Sequence, residues 1–157
     1  GSGCIGLTLA SAWKDCRVQL ADISEEALDL ARMNASRLGL DAVQLVRSDL
    51  FEKITGRYDL VTANLPYIPS QKLSSVNTHG FEPNLALDGG ADGLRLIRRL
   101  LDHLPSRLNY PSVVLLEIEA SLGAETLELA YAAFPNACVT LIQDLAGLDR
   151  LVRIELS

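Results

Sequence analysis

Four consecutive residues, Asn64-Leu65-Pro66-Tyr67, carry groups suited to holding a planar NH2-bearing acceptor. The Asn64 amide oxygen accepts a hydrogen bond, Pro66 stiffens the backbone, and the flat Tyr67 ring can stack on a planar group. Two carboxylates, Asp22 and Asp49, and the glycine-rich opening Gly1-Ser2-Gly3-Cys4-Ile5-Gly6 add acceptors and closely approachable backbone. Each feature has a plainer alternative. Asn-Leu-Pro can simply end a strand, Asp22 or Ser24 can cap a helix, Asp49 can be a solvated loop acid, and the glycines can be an ordinary turn or a cloning remnant.

The elements around these residues place them on one edge. Tyr58 to Ala63 reads as a buried parallel strand that delivers Asn64 at its C-terminal end, where open α/β sheets bind ligands. Ile5, Leu7, Leu9, Ala10 and Trp13 make a short helical pattern after the glycines, so that Gly1 and Gly3 feed a helix N-terminus. Arg17 to Ala21 reads as a strand delivering Asp22 roughly 20 residues after the glycines, the spacing at which nucleotide-binding α/β units set an acid on ribose hydroxyls. Glu25 to Leu38 is a scaffold helix stopped by Gly39. Ala42 to Val46 is the next strand, ending near Asp49, which can accept from an exocyclic amine such as that of adenine with Leu50 or Phe51 beside the ring.

Beyond Tyr67, the span 68–84 is polar and aperiodic and reads as a substrate-facing loop or lid, with His79 a surface histidine. Glu82 to Gly93 packs acids and glycines into tight turns, and Asp92 is a sensible N-cap for a helix from Leu94 to Leu108. On that helix Leu94, Ile97, Leu101 and Leu104 face inward, while Arg95, Arg98 and Arg99 form a solvated face. A strand over Ser112 to Glu119 and a helix over Leu122 to Phe134 follow. Two strands, Ala137 to Ile142 and Leu151 to Leu156, come in direct succession and imply an antiparallel hairpin.

Composition narrows the classes. A chain of 157 residues with 48% hydrophobic residues can bury one sizeable core and is short for two full domains. Its apolar runs are too short to span a bilayer and no signal-peptide pattern opens it, so a soluble, cytoplasmic protein is expected, with no membrane partner. Cys4, Cys16 and Cys138 suggest neither a disulfide framework nor a metal site and are expected as buried small side chains. A net charge of -6 opposes the basic stripe of a protein that grips phosphates, so direct nucleic-acid binding is not expected.

A parallel α/β sheet ending in a hairpin, with a glycine loop and two acids on one edge, resembles the Rossmann-like class I S-adenosylmethionine-dependent methyltransferase fold. Asn64-Leu65-Pro66-Tyr67 resembles the [Asn/Asp]-Pro-Pro-[Tyr/Phe] signature of enzymes that methylate planar amide or amino nitrogens. Phe81-Glu82-Pro83, Ala86 to Leu94, Leu116-Glu117 and Asp144 to Arg150 are similar to the HemK/PrmC family, the release factor glutamine methyltransferases. The family's first proline is Leu65 here, and Asn-Leu-Pro-Tyr is also similar to the adenine dimethyltransferases of ribosomal RNA.

The resemblance implies a single catalytic domain over residues 1–157, lacking the fold's first strand, the first glycine of its loop and the family's helical N-terminal domain. It implies S-adenosylmethionine as cofactor, held by Gly1, Gly3, Asp22, Asp49, Leu50 and Asn64, with no metal. A glutamine side chain of a peptide chain release factor would be methylated at Asn64, Leu65, Pro66 and Tyr67. An N6-adenine methyltransferase acting on RNA or DNA, or an inactive cofactor-binding fragment, are the alternative readings.

Overall fold

A computed structural model describes residues 1–76 and 83–157. The chain forms two compact units, Gly1–Gly56 and Arg57–Ser157. His79 and Phe81-Glu82 lie outside the described residues.

In the first unit, helix α1 (Cys4–Ala12) leads to strand β1 (Gln19–Asp22), helix α2 (Glu25–Arg37) and strand β2 (Gln44–Arg47). α2 forms where its end signals are. Ser24 is extended and its side chain accepts the Ala27 N–H at 3.2 Å, Glu25 and Glu26 occupy the first turn, and Gly39 turns the chain with φ 66°. β1 and β2 pair in parallel, with Gln19 opposite Gln44 and Asp22 opposite Arg47. Leu7, Leu28, Ala31 and Ala35 supply buried side chains; of the apolar positions expected on the helical face, Leu28 and Ala31 are buried, whereas Leu38, at the helix end, is exposed.

The second unit opens with β3 (Tyr58–Asn64) and the short β4 (Ile68–Pro69), followed by a 3-10 turn (Ser70–Lys72) and helix α3 (Leu73–Val76). After the undescribed residues come a 3-10 turn (Asn84–Ala86), β5 (Asp88–Gly90), helix α4 (Arg95–His103), β6 (Leu108–Glu117), helix α5 (Gly123–Ala133) and the strands β7 (Cys138–Gln143) and β8 (Asp149–Leu156). The main sheet has the order β3-β6-β8-β7. β3 and β6 run parallel, whereas β8 is antiparallel to both β6 and β7, the hairpin that the direct succession of the last strands implies. β4 and β5 make a separate parallel pair.

The core of this unit follows from two periodicities. Leu108, Val114 and Leu116 of β6 and Val152, Ile154 and Leu156 of β8 turn inward at even spacing, and Ile97, Leu100, Leu101 and Leu104 do so at helical spacing. Each such side chain contributes about 1.5–3 kcal/mol of transfer free energy.

Several expectations are corrected. The helix expected to reach Leu108 ends at His103, because Pro105 sits in a following 3-10 turn and Leu108 already begins β6. The expected loop at 68–84 contains ordered pieces, since β4 finds a partner in β5. All three cysteines are exposed. On edge strand β7 the alternation that buries Val139 turns Cys138 outward, and Cys4 opens a helix whose buried positions are Gly6 and Leu7. Among the described residues no helix is long and apolar enough to cross a membrane, and no group of three His, Cys, Asp or Glu side chains is arranged to hold a metal.

Candidate active site

The first unit gathers its candidate residues at one end of the β1–β2 pair. Gly3 precedes α1 in a left-handed conformation (φ 79°) and closes the first turn by accepting the Leu7 N–H at 2.8 Å, with no side-chain cap on the helix. The first N–H groups of α1 are therefore left for a polar ligand. The loop is tied down by Asn34 on α2, which donates to the Ser2 carbonyl at 3.1 Å. Asn34 was missed from the sequence; its signal was a half-buried polar side chain between the buried Ala31 and Ala35.

Asp22 ends β1 with its side chain 22% exposed. One oxygen accepts the Ser24 N–H at 2.9 Å, so the carboxylate also supports the residue that caps α2. Its carbonyl accepts the Ser48 N–H at 2.9 Å, which brings the residues after β2 alongside. Ser48, buried and accepting the Lys53 N–H at 2.9 Å through its hydroxyl, pins the turn that carries Asp49 and Leu50. Leu50 has φ 49°, a left-handed conformation that a leucine adopts at a cost of about 1–3 kcal/mol and that clusters at ligand clamps. Glycine backbone, a half-buried acid and a strained apolar residue beside a second acid fit a nucleoside with polar and apolar faces.

In the second unit Asn64 is the last residue of β3, opposite Glu117 of β6. Its side chain is exposed and, among the described residues, makes no hydrogen bond, so the amide is available to an acceptor substrate. Leu65, Pro66 and Tyr67 follow half-buried, and the Ile68 N–H then donates to the Leu87 carbonyl at 2.9 Å. In register with this end, Arg150 reaches the Ile118 carbonyl at 3.3 Å and the Asp144 carboxylate at 3.2 Å. Asp144 also accepts the N–H groups of Leu148 and Ala146, which, led by the Leu148 bond, hold its pKa below the ordinary carboxylate value.

The acid-and-glycine segment after β4 is organised by ion pairs. Asp88 accepts from the Ser70 hydroxyl at 2.7 Å and the Gly90 N–H at 2.9 Å, with the Arg95 guanidinium 3.5 Å away; these contacts, Ser70 first, lower its pKa. Asp92 is not the expected N-cap. Leu94 occupies that position, and the Asp92 carboxylate accepts the Leu94 N–H at 3.1 Å and a forked pair of bonds from Arg98 at 2.6 and 3.2 Å. Arg95 and Arg98 thus bind acids while remaining exposed, on the solvated face that was expected.

The Arg98 fork, and then the Leu94 N–H, lower the Asp92 pKa to about 2. A depressed acid stabilises the fold above its unfolded pKa and loses that contribution as pH falls through the folded value, here between 3.8 and about 2. NMR titration of Asp92 should therefore show a midpoint near the low value, returning toward 3.8 in Arg98→Ala.

The model of the family described as "Methyltransferase small domain" matches residues 1–81. The release factor glutamine methyltransferase of Bacillus cereus is 37% identical over 99% of the chain and 56% of its own length. The ribosomal protein uL3 glutamine methyltransferase of Neisseria gonorrhoeae is 36% identical over 86% of the chain and 45% of its own length. The chain spans about half the length of these relatives. A methyltransferase from Pyrococcus furiosus superposes with a TM-score of 0.71 at 20% identity, covering 99% of this chain and 70% of that one. A ribosomal protein L11 methylase from Lactobacillus delbrueckii gives 0.67 at 19%, covering 100% and 65%. The solved structures establish the expected class I methyltransferase fold, and the family match reaches from the glycine loop through Asp22, Asp49 and the Asn64–Tyr67 loop. The chain belongs to the methyltransferase small domain family.

Proposed function

We propose that the protein is an S-adenosylmethionine-dependent methyltransferase that modifies the side-chain amide nitrogen of a glutamine in a peptide chain release factor. The observation that carries the reading is the exposed Asn64 amide at the end of β3, without a hydrogen-bond partner among the described residues, in a loop followed by Pro66 and Tyr67. Two relatives whose names both specify glutamine support it.

The first unit's residues are suited to the cofactor. Gly1 and Gly3 give close backbone approach to its amino-acid end, Asp22 accepts from ribose hydroxyls, and Asp49 with Leu50 receives the adenine. When bound, S-adenosylmethionine supplies a methyl group already activated by its sulfonium, so the protein's own task is positioning.

The second unit's residues are suited to the acceptor. An amide nitrogen is a weak nucleophile because its lone pair is delocalised into the carbonyl. The Asn64 side-chain oxygen and the Leu65 carbonyl can accept its two N–H bonds, which lets the nitrogen pyramidalise and sets acceptors against the positive charge developing there. Pro66 restricts the backbone just after the Leu65 carbonyl, and Tyr67 offers its ring to the flat amide.

A second reading keeps the chemistry and changes the protein. The match to the uL3 enzyme is about as strong as that to the release factor enzyme, 36% against 37% identity. Both substrates are met in the cytoplasm. The test offers methyl-labelled cofactor to release factor, ribosomal protein uL3 and structured RNA in parallel. Label on a release factor glutamine is expected. Label on uL3 alone moves the assignment to the second reading; label on adenine with none on glutamine overturns both. Absence of cofactor binding in a calorimetric titration with S-adenosylhomocysteine would remove the cofactor assignment itself.

A further inference from the structure

The Leu65 carbonyl is a backbone atom, so no side-chain rotation can correct its position. Only the path of the chain through Asn64–Tyr67 sets it. Pro66 fixes one torsion in that path. Something else has to hold the chain beyond it, and the structure shows what does.

Tyr67 lies directly against buried glycines of the segment that begins at β5. A Cβ on Gly93 would sit 2.3 Å from the Tyr67 carbonyl oxygen, and Gly93 itself has φ 82°, a conformation that strains any other residue. A Cβ on Gly89 would sit 2.7 Å from the Tyr67 Cα and 2.7 Å from the Gly93 carbonyl oxygen. These neighbours are backbone atoms that cannot swing aside. The two stretches are then sewn together, Ile68 to Leu87 by a backbone bond of 2.9 Å and Ser70 to the Asp88 carboxylate at 2.7 Å. Asp88 in turn fixes Gly90, and Asp92 with Arg98 ties the far end of the segment to α4.

We propose that Gly89 and Gly93 are positioning residues for methyl transfer, forming with Asp88 a backbone mould that sets the path of Tyr67 and through it the Asn64–Leu65 acceptors. The inference rests on the function proposed above and deepens it. The segment makes its contribution through the Tyr67 peptide, and displacement of an acceptor by about 1 Å suffices for a 10²-fold loss of rate. The loss is expected in the chemical step, because the mould holds the Tyr67 peptide and through it the acceptors on which the reacting nitrogen depends most in the transition state.

In the intact protein, Gly93→Ala should lower kcat for a glutamine-containing substrate about 10²-fold, with KM and the affinity for S-adenosylhomocysteine unchanged. Amide hydrogen exchange supplies a readout free of activity: the Ile68 N–H should exchange faster, together with its neighbours in β4 and β5, while the core strands β6 and β8 keep their protection. Ser70→Ala removes one exposed hydroxyl from the same seam and should fold in any case; it should shift kcat and Ile68 exchange in the same directions by smaller amounts. Unchanged kcat in both variants, or a general loss of protection with kcat and KM moving together, overturns the inference. If the unsubstituted protein transfers no methyl to glutamine, the proposed function fails separately, and unchanged Ile68 exchange in Gly93→Ala then overturns the mould as well.

Discussion

Asn64→Ala is expected to lower methyl transfer to glutamine about 10²–10³-fold, equivalent to about 2.7–4 kcal/mol, while leaving S-adenosylhomocysteine affinity nearly unchanged. The magnitude is that of removing one preorganised polar group aimed at charge that develops in the transition state. The structure favours a large value because the Asn64 side chain has no other partner among the described residues, so its removal disrupts no internal bond. The loss should appear in kcat and kcat/KM alike, measured with labelled cofactor at saturating and limiting substrate. A rise in KM at constant kcat would mean that Asn64 holds ground state and transition state equally, and the acceptor role would fall. Leu65→Pro, by contrast, should be tolerated. It keeps the carbonyl, and the Leu65 N–H has no hydrogen-bond partner among the described residues.

Asp22→Ala should weaken cofactor binding by about 1.5–3 kcal/mol, the range for a hydrogen bond to a charged group. The structure adds a complication that the sequence left as an alternative, because the same carboxylate accepts the Ser24 N–H and so supports the cap of α2. The two roles separate with a second substitution. Asp22→Asn retains a neutral acceptor for Ser24 and removes the charge, so it should preserve the melting temperature and still weaken binding, whereas Asp22→Ala should lower both. Calorimetric titration and thermal melts of the pair decide. Full affinity in both variants, with a lowered melting temperature in Asp22→Ala, would leave Asp22 a capping residue only.

Much of the arrangement could be read from local signals. The Ser24 cap, the acids of the first turn and Gly39 bounded α2 correctly because each is satisfied within a few residues of itself. Tyr58 to Ala63 was legible as a strand because a run of apolar and β-branched residues has no helical period, and the hairpin of β7 and β8 was legible because no helix intervenes to return the chain in parallel. The error at α4 arose from reading apolar spacing through Pro105: Leu104 and Leu108 keep a helical interval and are both fully buried, but one lies in a 3-10 turn and the other opens a strand. Periodicity reports which residues are buried and does not distinguish the elements that bury them. The cysteines failed for a related reason, since composition gives a tendency to be inside while the alternation of a particular strand selects the face.

What the sequence by itself determined is the set of chemical groups and their attachment to strand ends: a glycine loop before α1, acids after β1 and β2, and an asparagine loop after β3. These depend on turn chemistry and hydrophobic period, both of which act within a dozen residues. What only the tertiary structure decided is how those groups are held. Asn34 reaches back 32 positions to Ser2, Gly93 meets a tyrosine peptide far earlier in the chain, and Arg98 on the exposed face of its helix grips an acid across a turn. Such contacts join residues whose types are unremarkable at their own positions, a glycine, an asparagine, an arginine on a helix. Their roles exist only once packing has brought backbone within van der Waals distance of backbone, where the absence of a single Cβ is what lets the chains touch.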